Sequence, residues 1–332
     1  MNKNAQKIYL DYSASAPLRP EARDAMMEVL SLEGAALNAS SIHTYGQQGR
    51  KIVERARDQV ARLMGCDRNQ ITFTSGATES NNAVLRHFME KFPEDKILIS
   101  ATEHPSILEF HKRYPDQVKL IPVDENGLVT PEALEQTCKE HGKISLVSVM
   151  LCNNESGIIQ DIPALAEIAH KHGALFHCDA TQIAGCLPIE ELGADFVTIS
   201  SHKLGGPQGA GALITKICGQ EPVSQLGGGQ EKGLRAGTEN IAAIAGFGAA
   251  LEATAKDMAR NETLRRWRDD MESALKEISP EIIIHGENVK RCATISFFSL
   301  TSIKAQNMLM ALDIEGICIS NGSSSCRFDR NL

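Results

Sequence analysis

In ISSHKLGGP (199–207) an apolar run ends in two serines, a histidine and a lysine, then turns through Gly-Gly-Pro. An amine held there can attack a carbonyl and stay covalently attached. The same residues equally describe a strand end whose polar groups face water. Asp179 ends ALFHCD, 24 residues before Lys203. A carboxylate at that place caps a turn, or keeps a pyridinium nitrogen protonated. His104, in ATEHPS, is either an exposed loop histidine before a proline or a ring that stacks on a planar cofactor and shuttles protons near neutral pH. FTSGATES (73–80) sets small residues where a strand gives way to a helix. That is an anion cup built on N–H groups and the helix dipole, or a plain N-cap by Ser75 or Thr78 with Glu79 in the first turn. Asn153 and Asn154, in NNESG, make a turn or present amide donors to a phenolate oxygen.

The nine cysteines lie at 66, 138, 152, 178, 186, 218, 292, 318 and 326, and no two form a CxxC pair. A zinc site or a thioredoxin motif is therefore not expected, and an odd count speaks against a disulfide framework. Most of them, Cys178 included, should be small buried hydrophobes. Cys326 differs, because it sits in the small polar run SNGSSSC.

These residues need elements to hold them. Short apolar runs at 70–74, 96–100, 118–123, 144–151, 174–178 and 196–200 alternate with helix-like stretches at 49–63, 77–90, 131–141 and 162–172. The spacing predicts an α/β domain with a mostly parallel central sheet covered by helices on both faces. Ligands gather at the carboxyl ends of such strands, which is where the lysine, carboxylate, histidine, amides and cup all fall. Parallel neighbouring strands would bring Asp179 and Lys203 into one crevice. Together these groups are what a pyridoxal phosphate (PLP) enzyme needs. A long helical stretch at 241–278 then leads to IIIHG and ATISFFS as strands, a helix at 303–312 and GICIS as a strand. The expected organisation is an N-terminal segment 1–15, a large domain 16–254 and a smaller α+β lobe 255–332.

Composition narrows the class. The 332 residues are 42% hydrophobic and 23% charged, with a formal net charge of −8. That balance does not suit a nucleic-acid partner. No apolar run approaches the length of a membrane span, and MNKNAQKIYLDYS lacks the apolar core of a signal peptide. The expectation is a cytoplasmic protein.

From residue 9 to about 320 the chain resembles the NifS/IscS-like cysteine desulfurases, in the class V aminotransferase family of fold-type I PLP enzymes. The resemblance rests on YLDYSASAPL (9–18), LNASSIHTYG (37–46), FTSGATESNN (73–82), ATEHPS (101–106), NNESGIIQDI (153–162), HCDATQ (177–182), SSHKLGGPQGAGAL (200–213) and GGGQEKGLRAGTEN (227–240), in that order. By position it implies that Lys203 carries PLP and later moves the substrate Cα proton. It implies that Asp179 pairs with the ring nitrogen, and that His104 stacks on the ring and assists proton transfer. Ala77, Thr78, Ser200 and His202 would hold the phosphate, while Asn154 and Gln182 would face the phenolate oxygen. Thr238 would reach the phosphate of a neighbouring subunit, which implies a homodimer. The implied reaction converts L-cysteine to L-alanine. Cys326 would be the persulfide-forming nucleophile, a transient iron–sulfur ligand at most. The sulfur would pass to an acceptor or scaffold protein for iron–sulfur clusters or other sulfur compounds.

Two features depart from the family pattern. Three residues separate Gly322 from Cys326 where the family has two, so Ser325 stands at the aligned position. The final RFDRNL matches nothing in the family, whose C-terminal segment carries an arginine for the substrate carboxylate. Arg327 and Arg330 lie in this unfamiliar stretch. Two alternatives follow: a PLP-binding remnant with impaired turnover, and a relative such as a selenocysteine lyase or class V aminotransferase.

Overall fold

The aliphatic and β-branched runs, punctuated by glycine, proline and polar residues, become strands of one sheet, and the amphipathic stretches between them become its covering helices. A computed structural model describes residues 7–32, 37–182 and 190–322. Its elements open with β1 (Ile8–Tyr9), α1 (Pro20–Leu30), α2 (Thr44–Met64), β2 (Ile71–Thr74), α3 (Ala77–Lys91), β3 (Lys96–Ser100), α4 (Pro105–Arg113) and β4 (Val118–Ile121). They continue with α5 (Pro131–His141), β5 (Ile144–Ser148), α6 (Ile162–Lys171), β6 (Leu175–Asp179), β7 (Phe196–Ser200) and β8 (Gly211–Thr215). The C-terminal part holds α7 (Ile241–Asp257), α8 (Asn261–Ile278), β9 (Ile282–Ile284), β10 (Phe298–Leu300), α9 (Ala305–Ile314) and β11 (Ile317–Cys318).

The central sheet has the order β2-β8-β7-β6-β5-β3-β4. Every pair is parallel except those of β8, which runs antiparallel to both β7 and β2. Because β5, β7 and β8 are buried along their whole length, these strands read as continuous apolar runs rather than alternating ones. One face of the sheet packs Ile97, Ile99, Leu146, Phe196 and Leu213 against Val84, Leu85 and Phe88 of α3 and Ile107 and Phe110 of α4. The other packs Leu98, Val147, Phe176, Val197 and Ile214 beneath α2, α5, α6 and α7. The chain steps outward from β3 to β4 and then returns across β3 to β5. The carboxyl ends of β3 and β5 therefore flank a topological switch point, the usual location of a ligand crevice in open α/β sheets.

Several expectations are revised. The 241–278 helix is two helices, α7 and α8, separated by the tight turn Met258–Arg260. Only Phe298 and Ser299 of ATISFFS are strand, as part of β10, which pairs antiparallel with β9. Of GICIS only Ile317–Cys318 is strand, and it pairs parallel with β1, which ties the N-terminal segment to the C-terminal elements. GAGAL was not expected to be a strand, yet its Gly211 opens β8. At Gly211 a Cβ would lie 2.7 Å from the Gly76 Cα, so only glycine lets β8 approach the start of α3.

Candidate active site

The loop from β2 to α3 forms the cup. Gly76 takes the N-cap position at φ +152°, and no side chain caps the helix. The first-turn amides of Ala77 and Thr78 therefore keep the donor character of an uncapped helix N-terminus. Glu79 turns back to accept the Ser75 N–H at 2.7 Å. Ser200, 2% exposed at the end of β7, directs its Oγ toward this cup, 3.9 Å from where a Cβ on Gly76 would lie. His202 follows in the turn after β7, its Nδ1 3.4 Å from Ser15 Oγ. Burial and the neighbouring Lys203 charge push the His202 imidazole below its usual pKa.

Asp179 ends β6 and is 5% exposed. Its Oδ1 accepts the Thr181 N–H at 3.0 Å and its Oδ2 accepts Asn81 Nδ2 at 2.7 Å. Asn81 Nδ2 also donates to Ser106 Oγ at 2.9 Å. Ser106 Oγ stands 2.9 Å from His104 Nδ1, which also accepts the Ser106 N–H at 3.1 Å. Since that N–H can only donate, Nδ1 is an acceptor, and the neutral ring carries its proton on Nε2. A chain of hydrogen bonds thus runs from Asp179 through Asn81 and Ser106 to His104. His104 also serves as N-cap of α4 with Pro105 at its first position, so local helix chemistry fixes the ring that faces the crevice. Burial lowers the His104 pKa; the Asp179 charge opposes this and Lys203 adds to it.

Lys203 lies three residues past β7, in the turn Ser201–Lys203. Its Nζ donates to the carbonyls of Ser13 and Ala14. Burial lowers its pKa, against the opposing pull of Asp179 and Asp11. A less basic amine is more often neutral, which is the form that attacks a carbonyl. Gln182 Nε2 donates to the same Ser13 carbonyl at 3.1 Å. Residues 11–15 therefore form a strap beside the lysine, and Ser320, just past β11, donates to Asp11 Oδ1 at 2.8 Å.

Behind the crevice sits a buried acid. Glu103 is 2% exposed; its Oε1 accepts the Met150 N–H at 2.6 Å, and its Oε2 is buried with no partner. Burial, then the Asp179 charge, push its carboxyl pKa well above the usual range, which favours the protonated form.

The structure brings Ala77, Thr78, Asp179, Ser200, His202 and Lys203 to one end of the sheet, with His104 within electrostatic reach of Asp179 and Lys203. Asn154 follows β5 and is half-buried. Its neighbour Asn153 builds the turn, with Oδ1 accepting the N–H groups of Glu155 and Ser156. Thr238 is exposed on the loop before α7. Cys326, like Arg327 and Arg330, lies outside the described residues. Of the seven cysteines described, Cys138, Cys152, Cys178 and Cys292 are buried, as expected for most. Sequence reading missed Asn81, Ser106 and Glu103. Asn81 had a signal: it lies four residues beyond Ala77, one helical turn behind the cup and on the same face. Glu103 had none, since nothing local distinguishes a buried acid from a loop carboxylate.

An α/β sheet with a lysine, a buried aspartate, a histidine and an uncapped helix start at its strand ends defines a class of enzyme. The chain belongs to the aminotransferase class-V family, matched over residues 8–329. It is 36% identical over 328 residues to "Cysteine desulfurase IscS" of Dictyoglomus turgidum, covering 96% of this chain and 82% of that protein. It is 38% identical over 325 residues to "Cysteine desulfurase IscS 1" of Archaeoglobus fulgidus, covering 95% and 83%. A NifS-like protein from Rickettsia africae superposes with a TM-score of 0.89 at 37% identity, covering 96% of this chain and 89% of that one. No helix among the described residues is long and apolar enough to cross a membrane.

Proposed function

We propose that this chain is a PLP-dependent cysteine desulfurase that converts L-cysteine to L-alanine and passes the sulfur on through Cys326. One observation carries the reading: the Asp179–Asn81–Ser106–His104 chain of hydrogen bonds, set beside Lys203 at the carboxyl ends of β3, β6 and β7. The residues suit PLP. The uncapped start of α3 and Ser200 Oγ converge at Gly76 as an anion cradle. The buried Asp179 matches a protonated ring nitrogen, and Lys203 is an amine of lowered basicity.

PLP supplies the electron sink that labilises bonds at the substrate Cα. The protein supplies everything else. Lys203 would carry the cofactor and move the Cα proton. Asp179, oriented by Asn81, would hold the ring nitrogen; Ala77, Thr78, Ser200 and His202 would hold the phosphate; Asn154 and Gln182 would face the phenolate oxygen. His104 would lie against the ring and offer its Nε2 proton. The Cys326 thiolate attacks the sulfur of bound cysteine. The new S–S bond forms as the carbon–sulfur bond breaks, and the carbon takes a proton to become alanine. The persulfide sulfur then goes to an acceptor or iron–sulfur scaffold protein in the cytoplasm. Thr238 of a second copy completes the phosphate site in a homodimer.

The test is L-cysteine plus a reductant, with alanine and sulfide measured together. Equal yields that vanish in Cys326→Ser support the reading. A PLP–lysine adduct without product identifies a silent remnant, and turnover of selenocysteine or another amino acid in place of cysteine identifies a different substrate.

A further inference from the structure

Residues 224–240, the segment that carries Thr238, are built as an arm. Ser224 N–H donates to the Leu234 carbonyl at 2.8 Å and Ala236 N–H to the Gln225 carbonyl at 3.0 Å, so the two ends of the arm close on each other. Between them Glu231 (φ 45°, ψ 43°) and Lys232 (φ 60°, ψ 25°) adopt left-handed backbone, and they are the only non-glycine residues with positive φ among those described. Such a conformation is unfavourable for L residues and persists where the surroundings over-determine it.

Here the surroundings do. Glu231 is 8% exposed and Arg57 5%. Arg57 grips both Glu231 oxygens, Nη2 to Oε1 at 2.6 Å and Nη1 to Oε2 at 2.9 Å. Phe73 N–H donates to Oε2 at 2.8 Å. The same guanidinium donates to the Ile71 carbonyl at 2.8 Å and lies 4.8 Å from the Phe73 ring centroid. Both β2 residues lead directly into the cup at 75–78. A second acid ties the arm to the cup from the other side. Glu79 Oε2 accepts the Ser75 N–H, while its Oε1 accepts Ser224 Oγ at 2.9 Å and Arg235 Nε at 3.2 Å. The arm is thus clamped to its own subunit's cup at Glu231 and at Glu79, with exposed Thr238 three residues beyond Arg235.

We propose that Glu231 and Glu79 are positioning residues: they lock the 224–240 arm to the cup of their own subunit, so that Thr238 is delivered at a fixed place to the cofactor phosphate of a second copy. This rests on the reading that Thr238 reaches that phosphate. Neither acid needs to touch the cofactor. Their effect passes through Thr238 alone, and each subunit's cup and the arm it lends move as one body.

The experiment is the rate of PLP loss from full-length holoenzyme, followed by visible absorbance after dilution into a PLP scavenger, with sedimentation and thermal unfolding as controls. Thr238→Ala should speed loss roughly tenfold or more, the scale of one hydrogen bond to a charged group. Arg235→Met, which removes the charged one of the arm's two bonds to Glu79 and leaves that of Ser224, should speed loss about threefold to tenfold, and Arg235→Lys should restore part of it. Glu231→Gln should act in the same direction; because it also disturbs a buried pair, Arg235→Met decides if Glu231→Gln fails to fold. The double variant Arg235→Met/Thr238→Ala should lose PLP no faster than Thr238→Ala alone, since both act through one contact. Additive effects in that double variant, or wild-type retention in a folded Arg235→Met dimer, would overturn the proposal. Wild-type retention in Thr238→Ala would instead overturn the reading of Thr238 on which the proposal stands, and the proposal with it.

Discussion

Asn81→Leu separates orientation of the site from stability of the fold. Asn81 is fully buried and its Nδ2 serves two acceptors, Asp179 Oδ2 at 2.7 Å and Ser106 Oγ at 2.9 Å. Its Oδ1 is buried without a partner. Leucine has a similar volume and removes both polar groups at once. The lost bond to an ionised carboxylate costs about 1.5–3 kcal/mol and the neutral one about 0.5–1.5 kcal/mol, while removing the orphaned carbonyl returns about 1–3 kcal/mol. The fold should therefore lose about 1 kcal/mol of stability, and no more than about 3.5 kcal/mol. Cofactor binding has no such compensation. Asp179 keeps only the Thr181 N–H to aim it, so up to the full charged-bond energy appears in PLP affinity, a weakening of about 10–150-fold. Equilibrium titration with PLP, read by visible absorbance, gives the affinity, and thermal unfolding of the cofactor-free protein gives the stability. A folded Asn81→Leu protein that binds PLP as tightly as wild type would refute the claim that Asn81 orients the ring-nitrogen partner.

Borohydride reduction and mass spectrometry should give a pyridoxyl-lysine peptide at Lys203 in the wild type and none in Lys203→Ala. Alanine formation should stay high as pH falls through 6.5 and drop only below it, because burial holds the His104 imidazole neutral to lower pH; in His104→Gln that acid limb should disappear. Glu103 has a folded pKa raised above its ordinary 4.5. The folded state therefore binds more protons than the unfolded state above that pH, and stability declines as pH rises toward the folded pKa. Glu103→Gln should flatten this decline in thermal unfolding across pH 5–9, and parallel curves would show that Glu103 is ionised in the fold. Arg57→Met should destabilise by about 3–5 kcal/mol by leaving Glu231 buried and unpaired, as measured by urea unfolding.

Much of the scaffold was legible along the chain because parallel strands buried on both faces advertise themselves as short apolar runs. The helices between them carry their own punctuation, such as Thr130 and Asp161 as N-caps with a following proline. The same local logic put Lys203, Asp179, His104 and the SGAT cup at strand ends, and so suggested one crevice. It could not supply the groups that aim them. Asn81, Ser106 and Glu103 act through partners 25 to 98 residues away in the chain, and no pattern along one segment encodes a hydrogen bond to another. β8 was hidden for a related reason: the close approach to Gly76 that requires Gly211 exists only once the sheet is assembled. The titration behaviour of the site likewise belongs to the fold. Burial, not residue type, raises the Glu103 pKa and lowers those of Lys203 and His104, because the cost of a charge depends on how much water the packed chain leaves around it.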